Sequence, residues 1–192
     1  MRASTQPSIA LGWPTRVALS LVAALGSSLA CVAPLEPSAF ETLQPTMRPE
    51  LFFAGATEGW GVIAKRDGRP SRRFEVRSEG SVEADGRFRL AQTITFADGE
   101  VERREWLMTR VDDTHYSATL TDALGPVRAE VHGNLFHIEY RIRRGVTMEQ
   151  WLYLLPDGQT VLNDATVRVL GSTYLRLSER IVRVEPSQAM KP

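Results

Sequence analysis

The sequence offers few side chains whose types and spacing suit catalysis. It contains three histidines, which are His115, His132 and His137. If Gly133-Asn134 forms a two-residue hairpin turn, Glu130 faces His137 across the hairpin. A carboxylate beside an imidazole can transfer a proton or ligate a metal. Both residues alternate with apolar neighbours that we expect in the core, so we interpret them as an exposed cross-strand pair, with Glu139 nearby.

Motifs of the common enzyme classes do not occur in the sequence. It has no Gly-x-Ser-x-Gly nucleophile motif and no glycine-rich loop of the type that binds phosphates. The single cysteine, Cys31, is assigned below to a membrane anchor. We therefore predict no catalytic residue, no cofactor and no metal site. We favour a binding protein over an enzyme and leave the enzyme class open.

Two polar residues interrupt strand faces that are otherwise apolar. Gln92 stands among the alternating apolar residues of segment 88–96, and Glu179 stands between Leu177 and Ile181. A polar group on an apolar face is costly unless it is hydrogen-bonded. Such bonds usually run to a neighbouring strand, and the alternative is that these two groups orient a ligand.

Three pairs of adjacent arginines raise a related question about the interior. The pairs are Arg72-Arg73, Arg103-Arg104 and Arg143-Arg144. Neighbouring residues of a strand point to opposite faces, so one arginine of each pair would point inward. We favour strand ends or bulges that keep both side chains in water. The alternative is an inward arginine that binds a carboxylate head group.

These residues are placed by a succession of short strands. Apolar and polar residues alternate with period two in segments 88–96, 136–143 and 174–181. Turn signals such as Asp67-Gly68 and Asp85-Gly86 separate the segments at short intervals. We predict an all-β fold, an antiparallel up-and-down β-barrel with about 8–10 strands. A two-sheet sandwich is the competing architecture.

The barrel is assigned to residues 51–186, and a disordered tail to residues 187–192. A barrel of this size either is filled by its own side chains or holds a small ligand. In the second case, aromatic side chains and interior polar groups would line the cavity. The candidate ligand-binding residues are Trp60, Gln92, Trp106, Tyr140, Trp151 and Glu179.

Composition excludes several classes of protein. The chain has 192 residues, with 23 basic and 23 acidic side chains and no formal net charge. A protein that binds nucleic acid normally presents an excess of basic residues, so we predict no nucleic-acid partner. A single cysteine excludes an intrachain disulfide framework.

Residues 1–30 have the composition of an export signal. They contain Arg2 and Arg16 but no acidic residue, and an apolar run extends from residue 17 to residue 30. A membrane-spanning helix needs about 20 apolar residues, so this run is too short to be one. It has the length of a signal-peptide core.

The end of this signal is similar to the lipobox of bacterial lipoproteins. The motif is Ser28-Leu29-Ala30-Cys31, with serine where the pattern prefers leucine. The resemblance implies cleavage before Cys31 by signal peptidase II and acylation of that cysteine. Val32 follows where aspartate would retain the protein in the inner membrane, which implies the periplasmic face of the outer membrane of a Gram-negative bacterium. The alternative is an ordinary secretory signal cleaved after Ala30.

Residues 31–50 are predicted to begin with the acylated cysteine and to continue as an extended tether. Four prolines occur in this segment, Pro34, Pro37, Pro45 and Pro49. Proline at that density disfavours regular structure. We therefore expect a spacer between the membrane and the barrel.

Several short motifs follow one another from about residue 50 to residue 184. They are Leu51-Phe52-Phe53-x-Gly55, Gly59-Trp60-Gly61-Val62, Gly133-Asn134 with Tyr140, Trp151-Leu152-Tyr153 before Asp157-Gly158, and Val161-Leu162-Asn163-Asp164-Ala165-Thr166 with Gly171. In order and spacing they resemble DUF3833, a family of uncharacterised bacterial lipoproteins. The chain departs from the family at Val169-Leu170, where the family tends to have Lys-Phe.

The resemblance implies a lipocalin-like barrel with no settled activity. Genes of this family often lie beside those for cyclopropane fatty acid synthases, which implies a role in membrane lipid modification. We therefore expect a lipid-anchored protein that binds a fatty acyl group or another apolar molecule. The alternatives are an enzyme or enzyme accessory acting on modified fatty acyl groups, and a structural lipoprotein whose barrel is filled.

Overall fold

A computed structural model describes residues 35–184 and shows ten antiparallel strands in a closed barrel. The strands are β1 (Gly55–Lys65), β2 (Pro70–Val82), β3 (Phe88–Phe96), β4 (Val101–Arg110), β5 (His115–Leu120), β6 (Val127–His132), β7 (Leu135–Arg143), β8 (Val146–Leu154), β9 (Thr160–Val169) and β10 (Ser172–Arg183). Each strand pairs with the next, and β1 pairs with β10. The prediction of an all-β, up-and-down barrel is confirmed.

The short turns explain why consecutive strands pair. Gly68 and Gly86 follow aspartates and adopt φ values of 83°, in the left-handed region where glycine carries no steric penalty. The turn at Gly133-Asn134 is a two-residue hairpin, with His132 opposite Leu135 as predicted. Tight turns of this kind leave the chain no crossover, so the sheet grows one neighbour at a time until it closes.

The segment before β1 differs from the predicted tether. Within it lie a 3-10 helix (Pro37–Phe40) and a short helix α1 (Pro49–Phe52). The Phe40 ring packs 5.3 Å from that of Tyr153 on the outside of the barrel, and Met47, which is 1% exposed, donates its backbone N–H to the Gly133 carbonyl at 2.7 Å. The apolar residues between the prolines bury against the barrel, and this contact outweighs the extended preference of the prolines.

Helix α1 closes one end of the barrel, which we call the helix end. Phe52 and Phe53 are buried there, and the Tyr116 hydroxyl donates to Glu50 Oε2 at 2.8 Å. A Cβ at Gly80 would overlap the backbone carbonyl of Phe53. Only glycine therefore allows the chain after α1 to come this close to β2. The opposite end, where β1 turns into β2 and β9 into β10, is called the rim end.

Three predicted features lie outside the described residues: the signal peptide at 1–30, the acylation site Cys31 and the tail at 187–192. Within residues 35–184, no helix has the length and hydropathy needed to cross a membrane.

Candidate functional site

The barrel interior contains two hydrophobic clusters with a cavity between them. The larger cluster, called the packed core, surrounds Phe52, Phe136 and Trp106 and extends from α1 through β3–β10. The smaller one, called the rim cluster, consists of Phe74, Val76, Ile94 and Phe96, with Ile63 and Leu177 packed against it. The cavity that separates them has a volume of about 290 Å³.

The floor and one wall of the cavity are aromatic. Phe53, directly after α1, and Trp106 of β4 line it, together with Phe136 of β7. Trp106 was among the predicted ligand-binding residues. Tyr140 was another, and it is buried outside the cavity lining, where its ring packs edge-on against Trp106 at 5.8 Å. Tyr140 thus supports the wall, while Trp106 forms it.

Gln92 also lines the cavity, as its position on the apolar face of β3 suggested. Its side-chain oxygen accepts from the Trp106 indole N–H at 2.8 Å, and its amide donates to Ser78 Oγ at 3.3 Å. Both ends of the amide are therefore engaged by the neighbouring strands β4 and β2. This is the structural role that a polar residue on an apolar face usually has.

Glu179 of β10 lines the opposite wall, where it forms a second polar cluster with Asn163 of β9 and Gln150 of β8. The Asn163 side-chain amide donates to Glu179 Oε2 and to Gln150 Oε1, each at 3.1 Å. Two acceptors facing one amide determine which end of Asn163 carries its nitrogen. Asn163 Oδ1 is buried and has no hydrogen-bond partner among the described residues.

Two glycines of β1 provide the space that these side chains occupy. A Cβ at Gly59 would lie 2.5 Å from Glu179 Oε1, and a Cβ at Gly61 would overlap the ring of Phe74. With Glu179 and Phe74 in these positions, β1 has no room for a side chain on its inner face at these two levels. In the Gly59-Trp60-Gly61 motif the two glycines therefore face the barrel interior, and the tryptophan between them does not.

Trp60 and Trp151 lie on the outer face of the barrel, so their expected place in a cavity wall is wrong. Trp60 is 43% exposed and stands between Glu75 of β2 and Arg180 of β10. Trp151 packs on the His137 ring at 4.5 Å, beneath the 3-10 helix. Strand parity explains both positions, because the inward neighbours are glycine at β1 and polar Gln150 beside Trp151.

Arg104 shows that the favoured interpretation of the arginine pairs is wrong for β4. Its side chain lines the cavity, 3.1 Å from Glu102 Oε2 and 3.7 Å from Asp122 Oδ2. These two carboxylates offset the cost of turning a guanidinium inward.

Arg72 of β2 also lines the cavity, near the rim end. Its guanidinium stacks over the Phe96 ring at 3.6 Å and bonds to Asp98 and Glu100. The pair Arg143-Arg144 behaves as expected, with both side chains exposed.

The position of Glu179 in the cavity wall shifts its pKa. Burial raises the pKa of its carboxyl, and the Asn163 hydrogen bond and the more distant Arg104 charge lower it by less. Glu179 retains some accessible surface because it faces the cavity, while protein atoms surround it on its other sides. Its charged form is disfavoured because burial removes the carboxylate from water, and the Asn163 hydrogen bond and the Arg104 charge offset this only in part.

The histidine hairpin has the predicted register but different side-chain partners. Glu130 stands opposite His137, yet His137 Nε2 is 3.1 Å from Glu149 Oε1, and the Glu130 carboxylate is 3.4 Å from His132. His137 is buried under Trp151 rather than exposed. Among residues 35–184, no group of three or more His, Cys, Asp or Glu side chains is placed to hold a metal ion.

Sequence reasoning missed Gln150 and Asn163 and chose the wrong side for Arg104. In β9 the inward residues Val161 and Ala165 flank Asn163, which repeats the interrupted pattern that revealed Gln92 and Glu179. Exposed Leu162 obscured that pattern, because it places an apolar residue on the outer face.

Comparison with solved structures supports the fold. An S-type phycobiliprotein lyase, CPES, from Guillardia theta superposes with a TM-score of 0.58 at 8% identity, covering 72% of this chain and 94% of that one. A protein of unknown function from the DUF3598 family of Nostoc punctiforme gives a TM-score of 0.56 at 14% identity, covering 73% of this chain and 51% of that one. This chain therefore spans about half the length of the Nostoc protein.

Sequence comparison assigns the family. Among curated proteins no relative matches the chain. A family model described as "Protein of unknown function (DUF3833)" matches residues 27–178, which include most of the barrel. The chain therefore belongs to the DUF3833 family.

Proposed function

We propose that this protein binds a small, mainly apolar molecule in the barrel cavity. The observation that carries the proposal is a cavity of about 290 Å³ with aromatic walls and a few polar groups. Ligand sites in proteins have this composition, and their volumes begin at about 300 Å³. A liquid water molecule occupies about 30 Å³, so the space suits about ten non-hydrogen atoms. A short acyl chain, or the end of a longer one, has that size.

We propose further that Cys31 is acylated and anchors the barrel to the periplasmic face of the outer membrane. The lipobox-like residues 28–31 support this. The Phe40 ring contacts the barrel, so no more than residues 32–39 separate Cys31 from a part of the chain that packs on it, and an acylated Cys31 holds the barrel near the bilayer. A site for an apolar guest beside a membrane suits a role in lipid modification.

Native mass spectrometry of the mature chain, residues 31–192, tests the binding proposal. Without residues 1–30 and carrying Cys31→Ser, it has neither the apolar signal segment nor the acylation site, so it can be purified without detergent. We expect a bound mass that is released on denaturation and extracts as an apolar small molecule. A protein that purifies empty and takes up none of a series of C6–C10 acids, alcohols and amines contradicts the proposal.

A matched pair of variants localises the bound mass. Ile94→Phe places a larger side chain in the cavity wall, whereas Thr95→Phe adds the same ring on the exposed face of β3. We expect the first variant to lose the bound mass and the second to keep it. Equal retention by both variants would place the ligand elsewhere.

A second candidate function, an enzyme or enzyme accessory for modified acyl groups, is favoured by one observation. Glu179 faces the cavity with a raised pKa, which is the usual state of a carboxyl that acts as an acid near neutral pH. The test is whether a bound molecule leaves the protein chemically changed. If it returns with its mass unchanged after incubation, the binding role stands. A barrel filled by its own side chains, the structural alternative, does not fit the cavity.

A further inference from the structure

Glu179 differs from the other carboxylate that lines the cavity. Glu102 lies 3.1 Å from Arg104. Glu179 has no cationic side chain within 4.0 Å among residues 35–184, and its one hydrogen bond there comes from Asn163 to Oε2. Oε1 therefore accepts no hydrogen bond from the described part of the chain. The cavity contains one paired acid and one unpaired acid.

The strands on either side of Glu179 provide no positive charge at its level. Its neighbours on β1 are Gly59 and Gly61, and on β9 its partner is the neutral Asn163. The charge of Arg104 of β4 lowers the pKa of Glu179, although the two side chains are not within ion-pair distance of each other. A buried carboxylate without a cation or a full set of donors is costly.

The charge of Arg104 is already balanced by carboxylates, although its Nε has no hydrogen-bond partner among residues 35–184. Glu102 and Asp122 already lie beside its guanidinium, at 3.1 Å and 3.7 Å. Two carboxylates around one guanidinium leave this corner of the cavity without excess positive charge. The other lining arginine, Arg72, bonds to Asp98 and Glu100. A free carboxylate brought into the cavity would therefore meet two arginines that already face carboxylates, and the unpaired Glu179 repels it when ionised.

We propose that the bound molecule presents a hydrogen-bond donor, an amine or an alcohol, to Glu179 Oε1, with its apolar part against the rim cluster and Trp106. This proposal rests on the proposed function, because it names the class of molecule that the same cavity binds. A primary ammonium has three N–H donors and also supplies the missing positive charge, so it should bind most tightly. An alcohol supplies one donor, and a carboxylate at neutral pH supplies none.

The raised pKa of Glu179 is consistent with this arrangement and makes it pH-dependent. Because burial disfavours the ionised form, a bound ammonium stabilises that form and lowers the pKa of the carboxyl again. Affinity for an amine therefore increases with pH as Glu179 ionises and levels off once it is fully ionised, provided that the amine remains protonated.

Three probes of nearly equal size test the inference: 1-octylamine, 1-octanol and octanoate. Their affinities are measured at pH 7 by calorimetry on the mature chain, residues 31–192, carrying Cys31→Ser. We expect octylamine to bind at least tenfold more tightly than octanoate, with octanol between them. Octanoate binding as tightly as octylamine overturns the inference and leaves the proposed function intact. Failure of all three probes overturns both.

Variants of the two cavity acids provide the matched control. Glu179→Gln keeps the shape and the Asn163 contact but removes the charge, so it should lower octylamine affinity at least tenfold and change octanol affinity little. Glu102→Gln removes the acid paired with Arg104, so octanoate should bind more tightly, whereas octylamine should still bind through Glu179. Glu179→Asp keeps the charge and should retain the preference for the amine. If the preference is unchanged in Glu179→Gln while urea unfolding shows a folded protein, the inference is wrong.

Discussion

The barrel interior is filled near α1 and hollow toward the rim end. In the packed core, Phe52 of α1 and Phe53 directly after it belong to one cluster with buried side chains from β3 to β10. In the rim cluster, Phe74 and Phe96 contact each other, with ring centroids 6.3 Å apart, and face the cavity on their other side. Side chains of the same type are therefore surrounded by protein in one region and partly by empty space in the other.

The comparison indicates that one end of the barrel provides most of the stability and that the other end leaves the space in which we propose that a ligand binds. The packed core closes an end of the barrel and excludes water, so it contributes most of the apolar burial. The rim cluster leaves a volume that a guest can fill. Polar side chains that would weaken the packed core, such as Glu179 and Asn163, lie beside the cavity instead.

The largest expected effect comes from truncating a phenylalanine in each region. Phe52→Ala removes a fully packed ring and should lower the free energy of unfolding by about 4 kcal/mol, within the range typical of buried Phe→Ala changes. Phe74→Ala removes a ring that already borders a cavity, so we expect about 2 kcal/mol. Urea unfolding measures both. Equal losses would mean that the rim cluster is as tightly packed as the core.

Glycine-to-alanine changes should separate the regions in a second way. At Gly80 the new methyl group meets the backbone carbonyl of Phe53, which cannot move without displacing α1. At Gly61 it meets the ring of Phe74, which can swing into the cavity. We expect a loss of about 3 kcal/mol for Gly80→Ala and about 1 kcal/mol for Gly61→Ala. The second change should also abolish ligand uptake in native mass spectrometry, because the displaced ring occupies the cavity.

The pH dependence of stability should have opposite signs in the two regions. Burial raises the pKa of Glu50, but hydrogen bonds from Tyr116 and Arg48 outweigh it and leave the pKa below its ordinary value. Glu50 therefore stabilises the fold above its ordinary pKa, and that stability is lost on acidification. The pKa of Glu179 is raised, so the unfolded state ionises first and stability falls as pH increases above the ordinary value.

Urea midpoints of two variants between pH 4 and pH 8 test these signs. At pH 8, Glu50→Gln should lower the free energy of unfolding by about 1 kcal/mol, and Glu179→Gln should raise it by a similar amount, the usual size for single substitutions. At pH 4 both differences should shrink. A loss of stability in Glu179→Gln at pH 8 would contradict the unpaired state of that carboxyl.

The smallest effect is expected at the rim end itself. Leu170, in the turn between β9 and β10, has a φ of 49° and is 86% exposed. A left-handed conformation costs a leucine about 1 kcal/mol, and asparagine tolerates it better. Leu170→Asn should therefore stabilise the protein by about 0.5 kcal/mol, a typical gain from relieving such a conformation. A measurable loss would show that Leu170 makes a contact that its exposure conceals.

Much of the architecture was predictable because it depends on local patterns. Period-two alternation and Asp-Gly turns determine strand pairing, and they gave the barrel correctly. The inward direction of Gln92 and Glu179 followed from the same alternation. These are properties of neighbouring residues, which the sequence displays directly.

The rest of the site depends on side chains that carry no clear signal about which face they occupy. Gly59 and Gly61 give no hydrophobic indication of an inward face, so Trp60 was placed on the wrong side. Arg104 turns inward because Glu102 and Asp122 surround it, and Asp122 comes from the turn after β5. Between the prolines before β1 lie residues such as Phe40 and Met47 that pack on strands much later in the sequence. The local sequence pattern does not show such long-range contacts.

Closure of the sheet by β1 and β10 has a consequence for how the molecule is made. These strands pair from Thr57 opposite Arg183 to Lys65 opposite Leu175, so each contact joins residues more than a hundred positions apart. A chain that emerges amino end first, from a ribosome or through a membrane, keeps β1 as an unpaired edge until its final strand arrives. Closure of the barrel therefore has to wait until β10 has emerged, although the neighbouring strands between β1 and β10 can pair earlier.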